Sequence, residues 1–168
     1  MTATAVLAAA RRIAASVPDP ELPMLTLADL GILRDVSVTG QRVTVSLTPT
    51  YSGCPALAEM SRDVAARLAA AGFTDVEVRT VLSPPWSTNL ISADGRRKLA
   101  EAGITPPRSA PKSDGPVPLT LFASGQPVDC PQCGSADTAL TAAFSGTACK
   151  DLRRCRACGE PFEHVKEV

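Results

Sequence analysis

Three features predict the fold class of this 168-residue chain. Two copies of a C-x-x-C-G motif stand near its end, a proline-rich stretch precedes them, and helical and strand periodicities alternate before that. Together they predict two domains: residues 1–104 mixing helices with strands, and residues 119–168 folding as a small four-cysteine ribbon, with residues 105–118 as the linker. The length suits one domain of roughly 100 residues plus a small appended module. Aromatic residues are only 4% of the chain, so aliphatic side chains must build the core.

The first helix is expected from about Thr4 to Ala15, where Val6, Leu7, Ala10, Ile13 and Ala14 recur at helical spacing. Three prolines between Val17 and Pro23 exclude regular helix. Ile32–Val38 and Arg42–Thr48 alternate apolar and polar residues around Thr39-Gly40-Gln41, which reads as a hairpin. Gly53-Cys54-Pro55 is a strand-to-helix turn, with Pro55 at the first helical position, where a missing N–H costs nothing. The helix it opens runs to about Ala71, with Leu57, Met60, Val64 and Leu68 on one face, and ends at Gly72. Asp75–Leu82 is a third strand by its valine and threonine content. A short helix from about Ser92 to Ala102 closes the domain at Gly103. Thr105–Pro118 carries five prolines in 14 residues and reads as a semi-extended linker.

Cys130-Pro131-Gln132-Cys133-Gly134 and Cys155-Arg156-Ala157-Cys158-Gly159 are the paired knuckles, with 21 residues between Cys133 and Cys155. Two residues between cysteines let both sulfurs of a knuckle face one ion. The following glycine allows the positive φ that turns backbone N–H groups toward the sulfurs. Cys130, Cys133, Cys155 and Cys158 therefore read as the four thiolate ligands of a structural zinc. Rubredoxin-like iron, an iron–sulfur cluster and two reducible dithiols are the alternatives. Thr138–Phe144 supplies one strand of the hairpin between the knuckles.

Outside the knuckles, Cys54 sits at a helix start, where the helix dipole and unpaired N–H groups favour thiolate and lower the thiol pKa. Its rival reading is a buried apolar cysteine. Asp19 and Glu21 flank Pro20 in a rigid loop, either as turn caps or as carboxylates aimed at the Cys54 end of the domain. Cys149 is an accessory thiol near the second knuckle, a buried filler or an exchangeable ligand. His164 is the sole histidine, so this chain alone lacks the pair that a di-iron carboxylate site takes from Glu-x-x-His motifs. No phosphate loop and no G-x-G-x-x-G is present. These absences weigh against an autonomous enzyme.

Lys plus Arg equals Asp plus Glu at 17 each, which argues against a dedicated nucleic-acid binder. A local basic patch remains at Lys150, Arg153, Arg154 and Arg156. No apolar run approaches the ~20 residues that span a bilayer. Arg11 and Arg12 interrupt the apolar stretch Ala3–Val17 in a way no secretion signal shares. The expectation is a cytoplasmic protein without membrane contact, whose six cysteines are metal ligands or reactive thiols rather than disulfides.

Asp19-Pro20-Glu21-Leu22-Pro23, Asp29-Leu30-Gly31-Ile32 and Thr48-Pro49-Thr50-Tyr51-Ser52-Gly53-Cys54-Pro55 resemble the MIP18 family, also called DUF59. Pro84-Pro85-Trp86-Ser87, the Ile91–Pro107 tail and Thr147-Ala148-Cys149-Lys150 resemble its ribbon-bearing bacterial branch, the D subunits of the phenylacetyl-CoA epoxidase (ring 1,2-epoxidase) system. The resemblance implies an α+β fold, a small mixed sheet backed by helices, followed by the zinc ribbon. It implies a non-catalytic accessory or maturation role for an iron–sulfur or metal centre. Cys54 would be the functional thiol handling iron or a cluster transiently, with Asp19 and Glu21 in support. The implied partners are the epoxidase oxygenase subunits, its iron–sulfur flavin reductase and iron–sulfur assembly proteins. A structural subunit of the oxygenase complex and a nucleic-acid-binding ribbon protein are the competing readings.

Overall fold

The computed structural model describes residues 2–51, 53–108 and 127–167. Their contacts divide the chain into two compact units, Met1–Lys98 and Leu99–Val168.

In the first unit, helix α1 (Ala3–Ala15) begins at Thr2, whose hydroxyl accepts the Ala5 N–H, and buries Ala10 and Ala14. Strands β1 (Leu33–Thr39) and β2 (Arg42–Leu47) form the expected hairpin, turning at Gly40 with φ +63°. Helix α2 (Ala56–Ala70) then carries the chain back so that β3 (Asp75–Thr80) lies parallel to β2. The order is β1-β2-β3, a mixed three-stranded sheet. Strand β2 buries Val43, Val45 and Leu47 alternately, Val36 of β1 lies opposite Val45, and Val76 and Val78 of β3 align with Val43 and Val45. Helix α1 packs on β1 and α2, and α2 on β3, placing Met60, Val64 and Leu68 in the core. The α+β class with a small mixed sheet backed by helices is thus the fold of this unit.

The segment from Val17 to Ile32 is held without regular structure. Pro18 and Thr26 form an isolated bridge, and Leu27 donates its N–H to the Val17 carbonyl at 2.9 Å. Asp29 anchors the segment. Its Oδ2 accepts from the Thr26 N–H (2.9 Å), the Thr26 hydroxyl (2.9 Å) and Lys98 Nζ (2.8 Å), while its carbonyl accepts the Ser92 N–H at 2.8 Å. Burial penalises the Asp29 carboxylate, but the bonds from Lys98 and Thr26 outweigh that and hold its pKa below the usual range. Buried Trp86 donates its indole N–H to the Leu30 carbonyl at 2.8 Å. A 3-10 turn at Thr88–Leu90, which the periodicity does not announce, leads to α3 (Ala93–Glu101).

The second unit holds a four-stranded sheet in the order β4-β7-β6-β5, made of β4 (Ile104–Thr105), β5 (Thr138–Ala142), β6 (Lys150–Cys155) and β7 (Pro161–Val165). Thr105, the first residue of the expected linker, is the second residue of β4 and pairs with His164. Residues 109–118 of that linker lie outside the described residues.

Candidate metal centre and the Cys54 turn

The two knuckles fold alike. The Cys130 N–H donates to the Ser135 carbonyl at 2.9 Å, and the Cys155 N–H to the Glu160 carbonyl at 2.9 Å. The Gly134 N–H reaches the Cys130 carbonyl at 2.9 Å and the Gly159 N–H the Cys155 carbonyl at 3.0 Å, with φ of +72° and +82°. Both glycines therefore hold the left-handed conformation read from the motif. The four sulfurs lie within 4.8 Å of one another, with Cys130–Cys158 at 3.7 Å and Cys133–Cys155 at 3.6 Å. A tetrahedron with metal–sulfur bonds of ~2.3 Å has sulfur–sulfur edges of roughly 3.8 Å, so this spacing fits a four-thiolate ion and is far too long for disulfides.

Electrostatics point the same way. The Cys158 N–H donates to Cys155 Sγ at 3.5 Å and draws that thiol down to about 7. The Glu160 N–H favours thiolate at Cys158, yet the adjacent sulfur of Cys155 and burial push it up to about 12. Four thiolates cannot coexist so closely without a cation between them. Among the described residues no other group of three or more His, Cys, Asp or Glu gathers its ligand atoms this way. Cys149 stands outside the set. It is half-buried, its sulfur 3.2 Å from the Thr147 hydroxyl.

The basic patch is largely consumed by the ribbon's own packing. Buried Lys150 meets Glu163 Oε2 at 2.7 Å, and Arg153 meets Asp151 Oδ1 at 3.0 Å. Asp151 also holds buried His164 through Nδ1 at 3.3 Å. Only Arg154 and Arg156 of the four stay exposed.

Cys54 occupies the turn between β2 and α2, immediately before Pro55, which stands at the N-cap rather than inside the helix. The Cys54 N–H donates to the Tyr51 carbonyl at 3.2 Å, and its own carbonyl accepts from Leu57. The sulfur is half-buried and free. The expectation of a lowered thiol pKa is reversed. Burial pushes the Cys54 thiol up, and the negative charges of Glu21 and Asp19 push it further. The Ala56 and Leu57 N–H groups pull toward thiolate and are outweighed. Asp19 and Glu21 thus lie close enough to act on Cys54. Asp19 also caps its own turn: it is buried, and its Oδ1 accepts the N–H groups of Glu21 (2.9 Å) and Leu22 (2.8 Å). At the root of the same turn, Thr48 is buried, and its hydroxyl is the buried side-chain polar atom among the described residues that has no hydrogen-bond partner. Leaving such a group unsatisfied costs about 1–3 kcal/mol. Thr48 carries no signal in the sequence beyond its place in the motif.

A relative from Escherichia coli, named as a putative D subunit of 1,2-phenylacetyl-CoA epoxidase, is 40% identical over 151 residues, covering 89% of this chain and 86% of its own length. This chain belongs to the D-subunit family of phenylacetyl-CoA epoxidase. Both halves of that family's architecture are matched. Residues 7–80 match the family described as iron–sulfur cluster assembly protein, and residues 114–166 the PaaD zinc beta ribbon domain. The "Fe-S protein maturation auxiliary factor SufT" of Staphylococcus aureus is 37% identical over 78 residues, 45% of this chain and 88% of that protein. A DUF59 domain of Bacillus anthracis, solved by crystallography, superposes with a TM-score of 0.54 at 27% identity, covering 57% of this chain and 92% of its own. This chain therefore joins a unit of the iron–sulfur assembly family, bearing Cys54, to a zinc ribbon bearing the four gathered cysteines. Among the described residues no helix is long and apolar enough to cross a membrane.

Proposed function

We propose that this chain is a cytoplasmic, non-catalytic accessory factor that loads or repairs an iron–sulfur or metal centre of the phenylacetyl-CoA ring-epoxidase system. The observation that carries the reading is the Cys54 turn, where a half-buried thiol stands in the field of Glu21 and Asp19. Negative charge that disfavours a lone thiolate favours a thiolate bound to a cation. An incoming ferrous ion or cluster iron, the cargo, would exchange the thiol proton for an iron–sulfur bond and release that proton to solvent. Glu21 and Asp19 would draw the cation in. A thiol kept protonated until cargo arrives is guarded against oxidation, which proceeds through the thiolate.

In the ribbon, Cys130, Cys133, Cys155 and Cys158 would hold zinc as a structural ion, with no part in cargo transfer. The kinship with a maturation factor in the DUF59 unit, and with an epoxidase D subunit over nearly the whole chain, supports clients among the oxygenase subunits or the iron–sulfur flavin reductase. Upstream iron–sulfur assembly proteins would be the cargo donors. The reading as a stably bound structural component of the complex is favoured by the wording of the relative's name alone. The nucleic-acid reading loses Lys150 and Arg153 to internal ion pairs.

The test is Cys54→Ala in cells whose only copy is the variant. The expected outcome is an unchanged zinc content, a stability loss of at most about 1–2 kcal/mol for a small half-buried group, and an epoxidase or reductase purified without its full iron content. Full iron loading of both clients would reduce Cys54 to a packing residue.

A further inference from the structure

Among the described residues strand β5 is an edge of the ribbon sheet, with β6 as its neighbour. Its sequence, Thr138-Ala139-Leu140-Thr141-Ala142, contains no charge and no proline, two of the devices that block an edge from pairing with another chain, and its register with β6 shifts between Leu140 and Ala142, so the regular edge is Thr138-Ala139-Leu140. The register with β6 assigns its two faces. Ala139 lies opposite Arg154, whereas Leu140 lies opposite Arg153. On the first face is an open cleft of about 410 Å³ lined by Ala139, Thr141, Arg154, Cys155, Arg156 and Gly159. The small side chains form its floor, and two exposed arginines flank it. Arg154 donates through Nε to the Gly159 carbonyl and, among the described residues, meets no carboxylate. Arg156 pairs with Asp137 at 3.7 Å with both groups well exposed, a contact that another carboxylate can replace at little cost. On the second face Leu140 is 55% exposed. One face of the edge thus carries two exposed arginines, and the other an exposed leucine beside the Arg153–Asp151 pair.

We propose that β5 is a docking edge that accepts an extended segment of a partner protein in which acidic and apolar side chains alternate. The segment would add as a strand, its main chain bonding the edge that β5 presents among the described residues. Its acidic side chains would lie over Arg154 and Arg156, and its apolar ones beside Leu140, because successive side chains of a strand point to opposite faces. This supplies a partner chemistry for the accessory role proposed above. Its test reads binding rather than iron delivery, so either can fail without the other.

The experiment uses the full zinc-loaded chain and fluorescence anisotropy at about 0.15 M salt. The probes are a labelled peptide of about eight residues alternating valine and glutamate, its valine–lysine counterpart, its backbone N-methylated form, and an oligothymidylate of about 20 nucleotides. The glutamate peptide is expected to bind about tenfold more tightly than the lysine peptide. Arg154→Glu with Arg156→Glu should invert that order while zinc content stays whole. Leu140→Lys and N-methylation of the peptide should each weaken binding. Peptide preference unchanged by the charge reversal, or indifference to N-methylation, would overturn the proposal. So would tighter binding of the oligonucleotide than of the glutamate peptide, or a dimer of this chain that occupies β5 at assay concentrations.

Discussion

Removing the metal from the ribbon should unfold that unit alone, and the structure sets the scale. Among the described residues, the buried aliphatic and aromatic side chains in and beside the ribbon sheet are Ile104, Val128, Phe162 and Val165. At ~1.5–3 kcal/mol each they contribute roughly 6–12 kcal/mol. Ordering backbone costs about 1–2 kcal/mol per residue, so this core offsets about a dozen residues at most. Strands β5, β6 and β7 alone hold 5, 6 and 5 residues, before either knuckle is counted. A four-thiolate zinc contributes about 10–16 kcal/mol to folding, as much as the whole apolar core. The assay treats the protein with a strong chelator under reducing conditions, or substitutes Cys130→Ser, and follows each unit separately. Trypsin should then cut at Arg153, Arg154 and Arg156, which β6 and the second knuckle protect in the loaded protein. Trp86, the sole tryptophan, is buried in the first unit, and its fluorescence transition should shift by less than about 2 °C. A chelated protein that still resists trypsin at β6, or a Trp86 transition that collapses with the metal, would refute the reasoning.

Other perturbations test the first unit. Glu21→Gln removes a charge that pushes the Cys54 thiol up, so Cys54 should alkylate faster with iodoacetamide near neutral pH; an unchanged or slower rate contradicts the placement of that carboxylate. Asp29→Asn should lower the urea midpoint of the Trp86 transition at pH 7. Because the Asp29 pKa is depressed, its stabilisation is complete above the unfolded value near 4 and is lost as pH falls through the folded value, so the difference between variant and parent should shrink in acid; a pH-independent gap would mean its charge contributes nothing. Gly31→Ala forces a side chain onto φ +68° and places its Cβ 2.5 Å from that of Leu90, so a loss exceeding about 1–3 kcal/mol is expected in the same melt.

The first unit is readable from its sequence because its elements carry strong periods. The expected helix and strand limits fall within about two residues of α1, β1, β2, α2, β3 and α3. The ribbon is readable in its cysteines and in β5, but not in its remaining strands. Strand β6 reads Lys-Asp-Leu-Arg-Arg-Cys, with no apolar alternation, because its partners on β7 are polar: Glu163 for Lys150 and His164 for Asp151. Both of those pairs lie 13 residues apart in the sequence and leave no local trace. Strand β4 is two residues long and begins just before a proline pair. The thiol of Cys54 defeats a sequence reading for a related reason. The helix terminus that favours thiolate is local and visible, whereas the carboxylates that oppose it arrive from a loop more than thirty residues earlier. Asp29 is visible as part of a motif, but its role as the anchor for Thr26, Ser92 and Lys98 exists only in three dimensions.

The pairing of β4 with β7 changes what the proline-rich segment can be used for. The chain has entered the ribbon sheet by Ile104–Thr105, as that segment begins, and its Thr105 and Arg108 reach Asp129, beyond it in the sequence, through a hydroxyl bond and an ion pair. Thr105, Arg108 and Asp129 are therefore all held in the same unit. The segment's length does not set the reach between the two units, as the length of a tether would. The boundary between the two units falls instead at Lys98–Leu99, inside α3, so it is a helix and not a proline-rich tether that joins the unit of the Cys54 turn to that of the four-cysteine centre.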